Sequence, residues 1–126
     1  MTRRAYFTDK VVKLAAPLSN AVRTGNLLFV SGITPYDLER NVAAGDLEAQ
    51  TRRVMENAKT ILEEAGSSLD QVIKATIILV EVRDFQKVYD IWRNYFDEPY
   101  PALTTVVCGL VRPEFMLEIE FVAEID

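Results

Sequence analysis

The feature that most constrains this chain is a pair of strand-like runs that are largely apolar on both faces. In the runs 75–80 and 105–110, Val, Ile, Leu, Ala and Cys fill consecutive positions rather than alternate ones. A sheet face that is open to water carries polar residues at every second position. These strands therefore need cover on both faces, and the source of that cover limits the fold.

Two amphipathic helices are predicted to supply part of the cover. The first follows Asp46, which caps its first turn, and ends before Gly66, which takes the left-handed conformation. The second is predicted over 84–96, with Asp84 as its cap and Pro99 beyond its end. The apolar face of the first helix consists of Leu47, Thr51, Val54, Ala58, Ile61, Leu62 and Ala65, whereas Gln50, Arg53, Glu56, Lys59 and Glu63 are predicted to lie elsewhere.

The remaining elements are strands. A hairpin is predicted from Ala21 to Ser31 with its turn at 24–26, followed by an exposed loop over 34–46. Further strands are predicted over 72–82, 104–110 and 116–125, with one more near Tyr6 or Val12. This order indicates an α+β fold, a mixed sheet with both helices on one face.

Two helices leave the second sheet face without cover. A second copy of the chain is the simplest cover for a water-soluble protein, because a bare apolar patch across several strands would aggregate. The alternative is a central strand that tolerates exposed Val and Ile. We expect self-association.

Composition excludes several classes of function. At 126 residues the chain is expected to form a single domain, 1–126. It contains no His and one Cys, which rules out Ser-His-Asp and Cys-His catalysis, His-ligated zinc and an internal disulfide. The net charge of −5 disfavours nucleic acid as a partner. With no secretory signal or membrane-spanning run, and no P-loop, dinucleotide fingerprint or metal cluster, the sequence predicts a cytoplasmic protein without cofactor, metal or membrane contact.

Three positions are candidates for chemistry. The run 116–125 alternates, which places Glu118 on a polar face. The spacing alone favours a structural role, in which the acids keep an exposed strand edge from pairing with another strand. The alternative is a carboxylate that acts as a general acid or base. Cys108, inside an apolar strand and without a His to activate it, is interpreted as core filler rather than a nucleophile. Gly32 is either a point of close approach or only a strand end.

Several segments together resemble the Rid/YjgF family of reactive-intermediate deaminases. They are AVRTGNLLFVSG at 21–32, AQTR at 49–52 with EN at 56–57, AGSSLD at 65–70, PA at 101–102 and LEI at 117–119. The resemblance implies a chorismate-mutase-like fold, a homotrimer with inward-facing sheets, and small-molecule clefts between subunits. It also implies hydrolysis of enamines and imines, such as 2-aminoacrylate, to a 2-keto acid and ammonia. The stretch CGLVRP at 108–113 is similar to the branch that handles aminoacrylate in pyrimidine breakdown.

The resemblance implies a site with retained and altered residues. Glu118, the acid of the LEI motif, and Gly32 are retained. Leu103 occupies the position where active members have an Arg that binds the substrate carboxylate. Leu18 replaces a Tyr of the family, and Tyr89 replaces an Asn. The predicted site comprises Glu118 as the catalytic group and Gly32, Leu18, Tyr89, Leu103, Thr105, Cys108 and Arg112 as ligand-binding residues.

Loss of the Arg changes the expected ligand. A pocket that keeps its carboxylate but loses its cation should prefer a neutral, more apolar or cationic ligand, unless Arg112 or Arg23 replaces the cation. Two functions stay open. In the first, a water oriented by Glu118 and by backbone near Gly32 and Cys108 attacks a bound imine; in the second, a trimer binds a metabolite without turnover. Ribonuclease activity is disfavoured by the acidic charge and the missing His. The imine chemistry is our leading hypothesis.

Overall fold

The computed structural model describes residues 2–126, which form one six-stranded mixed sheet and two α-helices. The strands are β1 (Arg3–Tyr6), β2 (Ala21–Thr24), β3 (Leu27–Ile33), β4 (Val72–Leu79), β5 (Ala102–Val107) and β6 (Leu117–Glu124), and the helices are α1 (Leu47–Glu64) and α2 (Phe85–Trp92). The sheet order is β1-β2-β3-β6-β4-β5, in which only β4 and β5 pair in parallel. The predicted α+β class is confirmed, and the additional strand forms at Tyr6.

Helix α1 follows its local sequence signals. The Asp46 side chain accepts a hydrogen bond from the Ala49 amide at 3.0 Å, and Gly66 adopts a φ of +91° after the last turn. All seven residues of the predicted apolar face are buried. Six of the seven, all but Thr51, belong to the hydrophobic core that the helix shares with the sheet, and the helix contacts β3 and β6.

The prediction for Gln50 was wrong, because its side chain is fully buried. Its Nε2 donates to the carbonyls of Ala43 (2.9 Å) and Glu114 (3.0 Å), and its Oε1 accepts from the Met116 amide (2.9 Å). Helical periodicity treats Gln as a surface residue, whereas here the amide pairs with the backbone of two loops. Gln50 therefore holds the segment that enters β6.

Helix α2 is shorter than the predicted 84–96. After Trp92 the chain continues in tighter turns, with the Asn94 amide bonded to the Ile91 carbonyl and the Tyr95 amide to the Trp92 carbonyl. The Asp84 side chain makes no capping hydrogen bond, so that prediction was also wrong. Asp84 instead ends a short 3₁₀ turn over 82–84 that leads directly into the helix.

The two helices cover one face of the sheet, where the side chains of Leu28, Ile77 and Leu117 are fully buried. We call the other face the open face. Its middle rows follow from the strand register: Phe29 and Val122 in one row, Glu120, Thr76 and Thr104 in the next, and Glu118, Ile78 and Val106 in the last. Phe29 is 46% exposed and Val106 is 40% exposed, so the open face of the single chain carries uncovered apolar surface.

Candidate active site

Glu118 is the second residue of β6 and lies on the open face, opposite Ile78 of β4. Its carboxylate lies against Gly32, where the pairing of β3 with β6 shifts register between Val30 and Ile33. A Cβ built on Gly32 would lie 2.7 Å from Oε1 of Glu118. Only glycine leaves room for the carboxylate in this position.

The environment of Glu118 favours its protonated form. The side chain is half-buried, and this burial raises the pKa of the carboxyl group above its ordinary value, with a further increase from the nearby charge of Glu120. Within residues 2–126, no side-chain hydrogen bond or ion pair engages the Glu118 carboxylate. A raised pKa makes the deprotonated carboxyl group a stronger base than an ordinary glutamate, which suits a group that accepts and returns protons.

Leu18 and Gly32 line one small cavity of about 30 Å³ between β3, α1 and the segment before β2. A cavity of this size holds about one water molecule. Hydrogen bonds fix the polar side chains of its wall. Asn57 Nδ2 donates to the carbonyls of Thr34 (3.2 Å) and Tyr36 (2.9 Å). The Ser31 hydroxyl donates to the Ser19 carbonyl (2.6 Å). The structure thus brings Leu18, Gly32 and Glu118 to one region.

Tyr89, Leu103 and Thr105 form a second group, on the helix-covered side of β5. The Tyr89 hydroxyl lies 2.7 Å from the Thr105 hydroxyl. Tyr89 and Leu103 also line a hollow of about 150 Å³, together with Trp92, Arg93, Tyr100 and Pro101. Because β5 is an edge strand, this group lies at the margin of the chain.

Cys108 is exposed, which corrects its interpretation as core filler. Strand β5 ends at Val107, so Cys108 lies just beyond it, with its amide bonded to the Leu79 carbonyl at 2.9 Å. The apolar run 105–110 suggested a longer strand than the chain forms.

The two groups do not meet within one chain. Strand β4 separates β6 from β5, which places their axes roughly 10 Å apart at the usual spacing of paired strands. Glu118 shares a face with Val106, whereas Leu103 pairs with the buried Ala75 on the opposite face. The single chain thus holds the two groups on opposite faces of the sheet, on strands that are not neighbours.

The two arginines considered as replacement cations are engaged elsewhere. Arg112 is paired with Glu114 at 3.1 Å, and Arg23 donates to the carbonyls of Gly25 and Asp126. Neither lines the cavity at Gly32 or the hollow at Leu103. Arg93 does line the hollow, and sequence reasoning missed it. Arg93 follows Tyr89 by four residues, and residues four apart are neighbours on a helix surface, so this spacing was a signal that could have placed Arg93 near Tyr89.

Comparison with known proteins agrees with this fold and residue pattern. The profile of the Endoribonuclease L-PSP family matches residues 8–125. A RutC family protein of Pyrococcus abyssi is 40% identical over 124 residues, with 98% of each chain covered. Among solved structures, RidA of a Psychrobacter species is 32% identical with a TM-score of 0.90, covering 97% of this chain and 99% of that one. Escherichia coli TdcF with bound serine is 28% identical with a TM-score of 0.89, covering 98% and 99%.

The α+β sheet with two helices on one face is thus the fold of Rid proteins. The chain belongs to the Endoribonuclease L-PSP family, which is the Rid/YjgF family of the sequence resemblance. Among residues 2–126, none of the helices has the length and apolar character needed to cross a membrane.

Proposed function

We propose that this protein hydrolyses an enamine or imine of a small reactive metabolite. The observation that carries the proposal is the Glu118 carboxylate, half-buried with a raised pKa and lying against the backbone of Gly32. The RidA likeness supports the same chemistry, since the family resemblance implies imine hydrolysis.

The reaction needs one group that moves protons. For an enamine, protonated Glu118 first delivers a proton to carbon and so produces the iminium ion. Water then adds to the iminium carbon while the Glu118 carboxylate accepts one of its protons, which gives a neutral carbinolamine. Glu118 passes that proton to the nitrogen, the carbon–nitrogen bond breaks, and the hydroxyl proton returns to the Glu118 carboxylate. The products are a carbonyl compound and ammonia.

We further propose that the site is completed between subunits of a homotrimer. The group of Leu18, Gly32 and Glu118 would face the group of Tyr89, Leu103 and Thr105 of a neighbouring chain. Exposed Phe29 and Val106 support this arrangement, because association would remove their apolar surface from water. A cyclic trimer presents the same pair of surfaces three times.

A second candidate function is metabolite binding without turnover. It is favoured by Leu103, a half-buried apolar residue at the position where the family resemblance implies an Arg. A carboxylate ligand would find no charge from this side chain. RNA cleavage is disfavoured by the net charge of −5 and the absence of His.

The test is steady-state release of ammonia and keto acid from a panel of imines generated in situ, with wild-type protein and Leu103→Arg. We expect the wild type to convert at least one imine. If the wild type converts none while Leu103→Arg hydrolyses 2-aminoacrylate, the enzyme proposal is wrong and the binding function replaces it. If neither converts any imine, the catalytic proposal is also wrong.

A further inference from the structure

The hollow beside Leu103 combines one cation with an apolar lining. Arg93 is the only charged residue among the six that enclose its volume of about 150 Å³. Of the aromatic residues that line it, Trp92 is 4% exposed and Tyr100 is 45% exposed. Small-molecule sites have this character, a mostly apolar wall with a few placed polar groups.

The present partner of Arg93 leaves it available to a ligand. Its Nη1 lies 3.0 Å from Asp90 Oδ1, and the two side chains are 54% and 64% exposed. Ion pairs this exposed contribute little to stability and are readily exchanged. Asp90 Oδ1 also accepts a hydrogen bond from Gln86 Nε2 at 3.0 Å, so Asp90 keeps a partner if Arg93 turns away.

We propose that this hollow binds a small carboxylate, with the carboxylate on Arg93 and the apolar remainder against Leu103 and Tyr100. A guanidinium has five N–H donors in a planar fork that matches a carboxylate, and only one nitrogen of Arg93 is used by Asp90. The cation that Leu103 does not supply thus comes from the end of α2. The ligand class replaces the neutral or cationic ligand expected from Leu103 alone.

This inference rests on the proposed function in one respect: if the protein hydrolyses imines, the natural ligand is an imine that carries a carboxylate, or the keto acid formed from it. Binding itself can be measured without turnover. Trp92 is the single tryptophan of the chain and lines the hollow, so its fluorescence reports occupancy directly.

The experiment titrates the full chain with isovalerate and with isovaleramide, a neutral analogue of the same shape. We expect isovalerate to change the fluorescence of Trp92. Its affinity for Arg93→Gln should be about tenfold lower than for the wild type, because a charge-assisted pair is lost. Asp90→Asn should bind isovalerate more tightly, because the competing carboxylate is removed. Arg83→Gln, an exposed arginine outside the hollow, is the matched control and should equal the wild type.

Three outcomes would overturn the assignment: equal affinity of Arg93→Gln and wild type, equal affinity of the acid and the amide, or no change of Trp92 fluorescence with either compound. Carboxylate binding that depends on Arg93, in a protein that converts no imine, would support this inference while contradicting the proposed hydrolysis. Imine turnover that is unaffected by Arg93→Gln would do the reverse.

Discussion

Glu118→Gln is expected to lower kcat for imine hydrolysis by about 10²–10⁴-fold, the usual contribution of a positioned acid/base. The amide keeps the size of the side chain but cannot accept or release the proton that water addition requires. The measurement is steady-state ammonia release, with thermal unfolding used to confirm that the variant is folded. A Glu118→Gln variant as active as wild type would contradict this role.

Glu120→Gln is the matched control, because Glu120 is an exposed acid on the same face of the same strand. It should retain activity but change the pH dependence. If deprotonated Glu118 is the base, kcat/KM rises with pH through the pKa of Glu118. Because the charge of Glu120 helps to raise that pKa, its removal should move the rising limb to lower pH. An unchanged pH dependence of kcat/KM would show that the charge of Glu120 does not act on Glu118.

Gly32→Ala tests the same carboxylate without altering its chemistry. The added Cβ would lie 2.7 Å from Oε1 of Glu118, so the carboxylate must move. The displaced atoms are the end of a flexible side chain, and we therefore expect a large loss of kcat with little change in the free energy of unfolding. Wild-type kcat in this variant would show that the position of the carboxylate is unimportant.

Gln50→Leu is expected to lower the free energy of unfolding by about 3 kcal/mol, because it leaves buried hydrogen-bonding groups without partners. The carbonyls of Ala43 and Glu114 and the amide of Met116 each lose their contact with this side chain. Urea unfolding measures the loss, with all variants at one protein concentration because the proposed association would contribute to stability.

The control for Gln50 is Gln86→Leu, an exposed glutamine on α2. A surface substitution of this kind should change the free energy of unfolding by no more than about 0.5 kcal/mol. If the two variants unfold at the same urea concentration, the hydrogen bonds of Gln50 do not support the entry to β6.

Local signals explain how much of the fold could be predicted. Helix α1 has a side-chain cap at Asp46, a left-handed Gly66 and a continuous apolar face, and all three act within a few residues of one another. Gln50 was misplaced because two of its three partners, Glu114 and Met116, lie far along the chain. Asp84 resembled a cap in sequence, but the 3₁₀ turn before α2 set its backbone differently.

The candidate site was likewise predictable only in part. The resemblance pointed to Glu118 and Gly32, and the register of β3 against β6 places them in contact. Arg93 could not be assigned, since its proximity to Leu103 depends on how α2 lies beside β5. The exposure of Cys108 depends on where β5 ends, which a uniformly apolar run does not mark.

The central claim is that two chains complete one site, and subunit mixing tests it most directly. Glu118→Gln and Leu103→Glu, each expected to be inactive alone, would be co-expressed with different tags, and complexes that carry both tags would be purified. In a cyclic trimer of mixed chains, one site in three combines both intact groups, so we predict about one-third of wild-type ammonia release. Mixed complexes as inactive as the parent variants would contradict the account.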